Sequence, residues 1–277
     1  DGFVEAAQQK ESRIESTVTS RGSITGSSFT ANDMGAIEAT QVTNRYGDTE
    51  WTIPDAGTRQ ALMSDYDVAI PIDQFDLPKL LANPQGPYQA AALAAMNRKK
   101  DAVVYAALKG SALRKTDESG AFSGVAVPAG QIIAAGGTGF TKAKIIQAKK
   151  LFRANEADEM NGEQLYMTYD SGMLEDILSD TSLTSADFMA VKMLQEGAVN
   201  GKWMGFNWVP YEQLSGTSTK TAVAYTKSAA HVGMGSNIVT DIGPRRDKRN
   251  LIQIYVPLSI GSVRVNEYKV VTIDYVV

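Results

Sequence analysis

The chain has 277 residues, of which 43% are hydrophobic, enough for one substantial core or two modest domains. It contains no cysteine, which excludes disulfides, thiolate metal sites and cysteine nucleophiles. The formal net charge is −4 with acids and bases interspersed, so no large basic field for nucleic acid is expected. No apolar run approaches the roughly 18–20 residues of a membrane helix, so no membrane span is predicted.

Residues 1–35 differ in composition from the rest of the chain. Ten of the twenty residues from Glu11 to Thr30 are Ser or Thr, and the apolar residues among them are isolated. Such a segment cannot bury enough surface to order itself. Two interpretations remain open: a floppy terminus, or an arm that orders on another subunit.

Residues 36–74 are predicted to form a long β-hairpin. The alternating stretch Ala36–Asn44 is followed by a turn cluster around Gly47 and by a second extended stretch, Arg59–Ile72. Both stretches carry few large apolar residues. Because a hairpin that is polar on both faces is unstable alone, we expect this one to lie on a partner.

The clearest predicted helix begins at Pro87 and ends before Gly110. Its ends are apolar and alanine-rich, whereas residues 97–101 (Asn-Arg-Lys-Lys-Asp) are polar on every face. We call residues 97–101 the polar waist. Together with the Ser/Thr-rich segment and the polar hairpin, it indicates a subunit whose core is completed by neighbouring subunits.

The remainder of the chain predicts an α+β fold. Residues 110–139 are interpreted as a loop. Helical spacing predicts helices from Thr141 to about Asn155, from Ser171, and over 184–195. Strands are predicted at 164–169, 205–209, 221–225, 231–234, 238–242, 251–260, 263–265 and 267–277.

No catalytic residue, metal ligand or cofactor is predicted. The only histidine, His231, is interpreted as a strand-end or core residue, because no GxSxG elbow accompanies it. The adjacent acids Asp158 and Glu159 are interpreted as solvated surface, although a carboxylate hydrolase remains an alternative. The stretch 134–142 (AAGGTGFTK) does not have the spacing of a phosphate-binding loop and is interpreted as a flexible loop.

Two further clusters each allow more than one interpretation. Trp203, Phe206 and Trp208 are predicted to belong to a domain core, with a sugar-stacking platform as the alternative. The basic run 243–250 is interpreted as a hairpin turn, with an intersubunit contact or a nucleic-acid contact as alternatives.

The order of these parts resembles the major capsid proteins of tailed bacteriophages, with the Hong Kong 97-type fold. These proteins have an N-terminal arm, an extended hairpin loop, a Pro-rich connector, a long spine helix, an α+β axial region and a β-rich return. The local sequence is similar to one family of them at 73–78 (Asp-Gln-Phe-Asp-Leu-Pro), 95–101, 106–110 and 264–273.

The resemblance implies a division of the chain into four parts. Residues 1–35 correspond to the arm and 36–74 to the extended loop. The peripheral domain corresponds to 75–155 and 236–277, with the spine helix at 87–109, and the axial domain to 156–235.

The resemblance also implies the function. The expected protein is structural, not an enzyme, and forms pentamers and hexamers of an icosahedral shell around double-stranded DNA that it binds without sequence specificity. Scaffolding, portal and decorating proteins are the expected partners, the virion the expected location, and the host cytoplasm the place of assembly. An encapsulin-like compartment for an enzyme cargo is the alternative with the same fold.

Subunit-interface candidates follow from the same resemblance. They lie in the extended loop, in the polar waist and in the basic run: Arg45, Tyr46, Asp48, Trp51, Arg59, Arg98, Lys99, Asp101, Arg245, Arg246, Asp247 and Arg249. Some family members lock the shell through a lysine on the extended loop. No lysine occurs here between Lys10 and Lys79, so we expect a non-covalent shell.

Overall fold

A computed structural model describes residues 6–45, 47–49, 51–73, 85–117, 119–179, 199, 201–236 and 239–277. Within these ranges the chain forms three α-helices and three β-sheets. The α+β class predicted from the sequence is therefore confirmed. The helix predicted over 184–195 lies outside the described residues.

The first sheet, sheet A, is organised around one long strand, β14 (Leu251–Arg264). One edge of β14 pairs with β4 (Ser64–Ile72). Its other edge pairs with β12 (Ala230–Ser236) and β13 (Asp241–Arg245), and β1 (Thr19–Ser23) adds in parallel to β12. The sequence predicted two strands, 251–260 and 263–265, where the structure has one.

The long helix α1 (Gln85–Lys109) lies across sheet A. Its apolar ends face the alternating buried residues of β14, such as Ile254 and Val256. The predicted spine helix is thus confirmed, beginning two residues earlier. It ends at Gly110, where a Cβ atom would lie only 2.7 Å from the carbonyl oxygen of Ala106.

The second sheet, sheet C, contains six strands in the order β7-β15-β11-β8-β10-β9. These strands are Ile132–Ile133, Val270–Val276, Thr219–Thr226, Leu165–Tyr169, Phe206–Pro210 and Lys202–Trp203. Helices α2 (Lys142–Ala154) and α3 (Ser171–Ser179) begin and end close to the predicted positions. Trp203, Phe206 and Trp208 are buried here, so their assignment to a core is confirmed and the sugar platform is wrong.

The predicted hairpin is wrong in its strands. No strand occurs in 36–44; instead β2 (Ser28–Met34) pairs with β3 (Ala56–Leu62), and β4 belongs to sheet A. The isolated apolar residues of the Ser/Thr-rich segment suffice for β2 because a strand needs only one buried face, here Phe29 and Ala31.

Sheet B has the order β2-β3-β5-β6 and overturns a second prediction. Strands β5 (Ala112–Lys115) and β6 (Ser123–Val125) lie inside the predicted loop 110–139. Both are short, and they gain order from pairing with β3 and with each other rather than from a strong local pattern.

The glycine-rich stretch 134–142 surrounds the side-chain ammonium of a lysine from the same chain. The buried ammonium of Lys144 donates to the carbonyl oxygens of Ala135, Thr138, Gly139 and Asp274 at 2.8–3.0 Å. Burial lowers the pKa of this lysine, an effect that nearby Asp176 and Asp274 oppose. A phosphate cradle presents N–H groups, so carbonyl oxygens around an ammonium exclude that reading of this loop.

Candidate functional site

The polar waist of α1 binds the N-terminal segment of the same chain. The carboxylate of Asp101, which is 0% exposed, accepts hydrogen bonds from Gln9 Nε2 (2.5 Å), Ser12 Oγ (2.6 Å), Arg13 N (2.9 Å) and Ile14 N (3.0 Å). We call Asp101 with residues 9–14 the arm clamp. It satisfies backbone donors that would otherwise be buried without partners.

The other waist residues support the arm clamp. Lys100 pairs with Glu15 at 3.0 Å, Asn97 donates to the Lys10 carbonyl at 2.9 Å, and Arg98 donates to Gln8 Oε1 at 2.9 Å. Lys99 instead points at β4, where its ammonium lies 4.3 Å from the centre of the Tyr66 ring. The waist is polar because its partners are backbone and polar side chains of the arm.

The arm is therefore ordered on its own subunit, which neither sequence interpretation foresaw. Ile14 and Val18 enter the main core, and the Thr17 hydroxyl lies 2.5 Å from the buried Tyr225 hydroxyl. Few apolar residues suffice because the clamp contributes hydrogen bonds to a charged group, worth about 1.5–3 kcal/mol each.

A second cluster of buried charges holds strands β2 and β3 against the C-terminal part of the chain. Arg59, 2% exposed, donates to Asp33 Oδ2 at 2.9 and 3.0 Å and forms a bidentate pair with Glu267. Arg114 of β5 reaches the same Asp33 oxygen at 2.9 Å. We call Asp33, Arg59, Arg114 and Glu267 the ionic root.

Two arginines of this region have pKa values shifted in opposite directions. Burial lowers the pKa of Arg59, but its pairs with Glu267 and Asp33 outweigh burial and the net shift is upward. Burial dominates for Arg264, whose pKa is lowered. Arg264 lies 3.7 Å from Glu267 and donates to the Leu108 carbonyl at 3.0 Å, so it connects the ionic root to the end of α1.

Beyond the ionic root the chain extends into the segment 35–55, which we call the loop tip. It is closed at its base by a hydrogen bond from Gly35 N to Asp55 O at 2.7 Å, and its described residues form neither helix nor strand. Trp51 is 89% exposed and Ile53 85% exposed. Large apolar side chains exposed side by side are typical of a surface that binds another protein.

The structure separates the predicted interface residues into two groups. Arg59 and Asp101 are buried with partners in the same chain, and Arg98 and Lys99 contact the arm and β4. The exposed group consists of Arg45, Asp48, Trp51, Arg245, Arg246, Asp247 and Arg249, while Tyr46 lies outside the described residues. Their place between subunits stays a prediction.

The basic run forms the turn between β13 and β14, which confirms the hairpin-turn interpretation. Arg245 and Asp247 pair at 2.7 Å on the exposed turn. The hydrogen bond from Arg245 lowers the pKa of Asp247 to about 2. Arg246 and Arg249 are exposed, so the end of the turn presents positive charge to solvent.

The candidates for catalysis are engaged in ordinary structural contacts. His231 lies near the start of β12, where it accepts a hydrogen bond from Arg21 Nε at 3.1 Å. Asp158, which is 3% exposed, pairs with Arg153 at 2.6 Å, and Glu159 pairs with Lys149, so the solvated-surface interpretation is wrong for Asp158. Within the described ranges no cluster of three or more acids or histidines is suited to a metal ion.

Sequence reasoning missed the ionic root. Asp33, Arg114 and Glu267 are far apart in the chain, and only the pairing of β3 with β2 and with β5 brings the first two to Arg59. One signal was present: Arg264, which lies 3.7 Å from Glu267 of the ionic root, ends a strongly apolar strand, and a charge in such a position is rarely buried without partners.

The family of the chain follows from a comparison over its full length. A family model described as phage capsid protein matches residues 1–277. The chain belongs to the phage capsid protein family. It is therefore a structural component of a capsid, and its place is the virion.

Solved structures agree with this capsid protein in fold. It is similar to a structure of the capsid of cyanophage P-SCSP1u (16% identity, TM-score 0.68), covering 98% of this chain and 90% of the other. The capsid of Ralstonia phage GP4 (10% identity, TM-score 0.71) and the capsid of a native GTA particle (9% identity, TM-score 0.73) each cover 100% of this chain and 94% of the other. A search of curated proteins gave no match.

The Hong Kong 97-type fold predicted for the capsid protein is confirmed by these similarities. Across the described part of the chain, no helix is both long and apolar enough to cross a membrane.

Proposed function

We propose that this capsid protein assembles as pentamers and hexamers into an icosahedral shell around the double-stranded DNA of a tailed bacteriophage, and that it performs no catalysis. The observation that carries the proposal is the loop tip. An exposed Trp51 and Ile53 cost solubility in a free subunit and gain free energy when a neighbour covers them.

The attachment of the loop tip supports this proposal. A bidentate pair such as Arg59–Glu267 fixes orientation as well as distance, so the ionic root holds the β2–β3 ribbon in one direction. A held ribbon with an apolar end loses little conformational freedom on docking, which favours assembly.

We propose the four-part division with boundaries that follow the sheets. Sheet A with α1 is the peripheral domain, and sheet C with α2 and α3 is the axial domain. On this division α2, β7 and β15, which the sequence assigned to the peripheral ranges, belong to the axial domain, and β12, which it assigned to the axial range, belongs to the peripheral domain. The arm corresponds to the residues before β2, of which β1 adds to the edge of sheet A, and the extended loop corresponds to β2, the loop tip and β3.

The exposed charges are proposed as contacts between subunits. Arg45, Asp48 and Trp51 are on the loop tip, and Arg246 and Arg249 end the β13–β14 turn. Scaffolding, portal and decorating proteins are the proposed partners, and the host cytoplasm the proposed place of assembly. The interspersed charge and the net −4 favour DNA enclosed without sequence-specific contacts.

Sedimentation of the purified protein, with negative-stain microscopy of any fast fraction, tests the proposal. We expect icosahedral particles of megadalton mass. Particles that hold double-stranded DNA support the virus shell, whereas particles that hold an enzyme support an encapsulin-like compartment. A species that stays at the 29.8 kDa monomer even when the neighbouring phage head genes are co-expressed contradicts self-assembly.

A further inference from the structure

The exposed face of α2 contains an apolar depression with a basic rim. It is lined by Ile146, Lys149, Lys150, Arg153 and Met204 and has a volume of about 370 Å³, room for one large side chain. Ile146, in the middle of an amphipathic helix, is 51% exposed. We call this surface the α2 depression.

The charge of this surface is unusual for a chain of net charge −4. Helix α2 has no acid over 142–154, and three of its five basic residues, Lys149, Lys150 and Arg153, line this surface. Two of the rim cations are paired with acids, Lys149 with Glu159 and Arg153 with Asp158. Lys150 is exposed and has no ion-pair partner among the described residues, so the rim keeps unpaired positive charge.

Met204 adds a backbone observation at the same place. It occupies the tight turn between β9 and β10 with φ = 50°, a left-handed conformation that is costly for a side chain of this size. Asn or Gly would relieve the cost. Methionine there supplies an adaptable apolar side chain to the depression, and strain retained in this way is typical of binding surfaces.

The loop tip has the complementary character. Between Arg45 and Arg59 the sequence contains three acids, Asp48, Glu50 and Asp55, and no base. The same stretch carries the exposed Trp51 and Ile53. One segment of the chain is thus apolar and acidic, and one surface of the same chain is apolar and basic.

We propose that the loop tip of one subunit docks on the α2 depression of a second copy of this chain. Trp51 enters the depression against Ile146 and Met204, and the exposed carboxylate of Asp48 faces the rim. An indole beside Lys150 also gains a cation–π attraction. The proposal rests on the proposed shell and adds the surface on which the loop lands.

A protein segment fits this surface better than the phosphates of DNA. Phosphate groups would leave Ile146 and Met204 without a contact, and they would compete with Asp158 and Glu159 for two of the rim cations. An acidic segment with an aromatic residue can contact the apolar residues of the depression and also pair with the free positive charge of its rim.

Disulfide trapping tests the contact, because the natural chain has no cysteine to interfere. Assembled particles of the Asp48→Cys/Lys150→Cys variant, which keeps Trp51 and Ile146, are oxidised with copper phenanthroline and run on a non-reducing gel. We expect a ladder from dimer upward, since docking brings the Cβ atoms within the roughly 4 Å that a disulfide needs. The single variants and Asp48→Cys/Tyr268→Cys, whose second cysteine is on a different exposed surface, are the controls and give no comparable ladder.

Carbodiimide coupling of wild-type particles gives a second readout that needs no variant. Intersubunit links from the carboxylates of Asp48 or Asp55 to Lys149 or Lys150 are expected. Links from these carboxylates to other lysines only, or a cysteine pair that gives no ladder in intact particles, overturn the landing site and leave the shell proposal standing. Failure of the wild-type protein to form particles contradicts the shell itself.

Discussion

The arm and the loop tip are both polar, irregular segments, and the molecule treats them in opposite ways. The arm finds a buried carboxylate, Asp101, that collects its backbone donors, and it becomes part of the subunit. The loop tip finds no such partner in its own chain for Trp51 and Ile53, which stay exposed. The difference shows that one well-placed buried charge can order a segment of low hydrophobicity, whereas exposed apolar side chains reserve a segment for another molecule.

Disrupting the ionic root should cause the largest loss of stability in the subunit. Replacing Arg59 by Met leaves Glu267 and Asp33 without their principal cation in a buried site, so we expect a loss of about 3–5 kcal/mol in the free energy of unfolding. Urea denaturation monitored by tryptophan fluorescence measures it. Arg245→Met, which removes an exposed pair, is the matched control and should leave the free energy of unfolding nearly unchanged. Equal losses of unfolding free energy in the two variants would show that the buried position of the ionic root does not make it more stabilising than an exposed pair.

Breaking the arm clamp should have the next largest effect. Asp101→Asn keeps the side-chain shape but turns one acceptor into a donor. In either orientation of the amide this donor faces other donors: Gln9 and Arg13 N on one side, or Arg13 N and Ile14 N on the other. We expect a loss of about 2–3 kcal/mol and faster proteolysis within residues 6–18.

Arg98→Ala provides the control for the clamp on the same stretch of helix. Its hydrogen bonds to Gln8 and Gln9 are only partly buried, so its cost should stay below about 1 kcal/mol. An arm that remains protected in Asp101→Asn would mean that Ile14 and Val18 alone hold it.

The stability of sheet C should depend on pH through Asp170, which directly follows β8. Burial raises the pKa of this carboxyl, but the hydrogen bonds from Lys220 (2.6 Å) and from Met173 N (2.9 Å) outweigh it and the net pKa is lowered. The stabilisation is therefore complete above the ordinary value of 3.8 and is lost as the pH falls through the lowered pKa.

A pH series of melting temperatures for the wild type and Asp170→Asn measures this contribution. The variant should be less stable at pH 7 by about 1–2 kcal/mol, and the difference should shrink as the pH falls from 4 toward 2. A difference that stays constant across that range would assign the stabilisation to packing.

Changing the loop tip should leave the subunit almost untouched. Trp51→Ala removes a side chain that is exposed, so the free energy of unfolding should change by less than about 0.5 kcal/mol. The yield of assembled particles should fall at least tenfold in sedimentation. A drop in monomer stability instead would mean that Trp51 packs on its own subunit.

Boiling particles in detergent tests the smallest expected effect, which is the absence of covalent links between subunits. Because no lysine occurs between Lys10 and Lys79, the loop has no amine for a bond to a neighbour, and particles should yield monomer bands only. Bands of higher mass would contradict a non-covalent shell.

Local patterns predicted the elements whose partners are adjacent or whose own periodicity is strong. The helix α1, the alternating β14 and the buried Trp203 cluster belong to this class, and the structure confirms them. The same patterns could not predict where the polar segments pair. Strand β2 is specified by its neighbour β3 across the loop tip, and the waist is explained only by arm residues about 88 positions away.

Strands β14 and β15 also have a consequence for how the subunit is made. Sheet A is built around β14, and sheet C has β15 between β7 and β11. In each sheet this strand is the last one to be synthesised, so neither sheet can be complete before it leaves the ribosome. Neither sheet closes while residues 251–276 are still inside the exit tunnel. Helix α1, which packs mainly on β14, has its apolar face uncovered during that interval. Loop tips cannot meet finished neighbours before this closure, which separates folding from assembly in time.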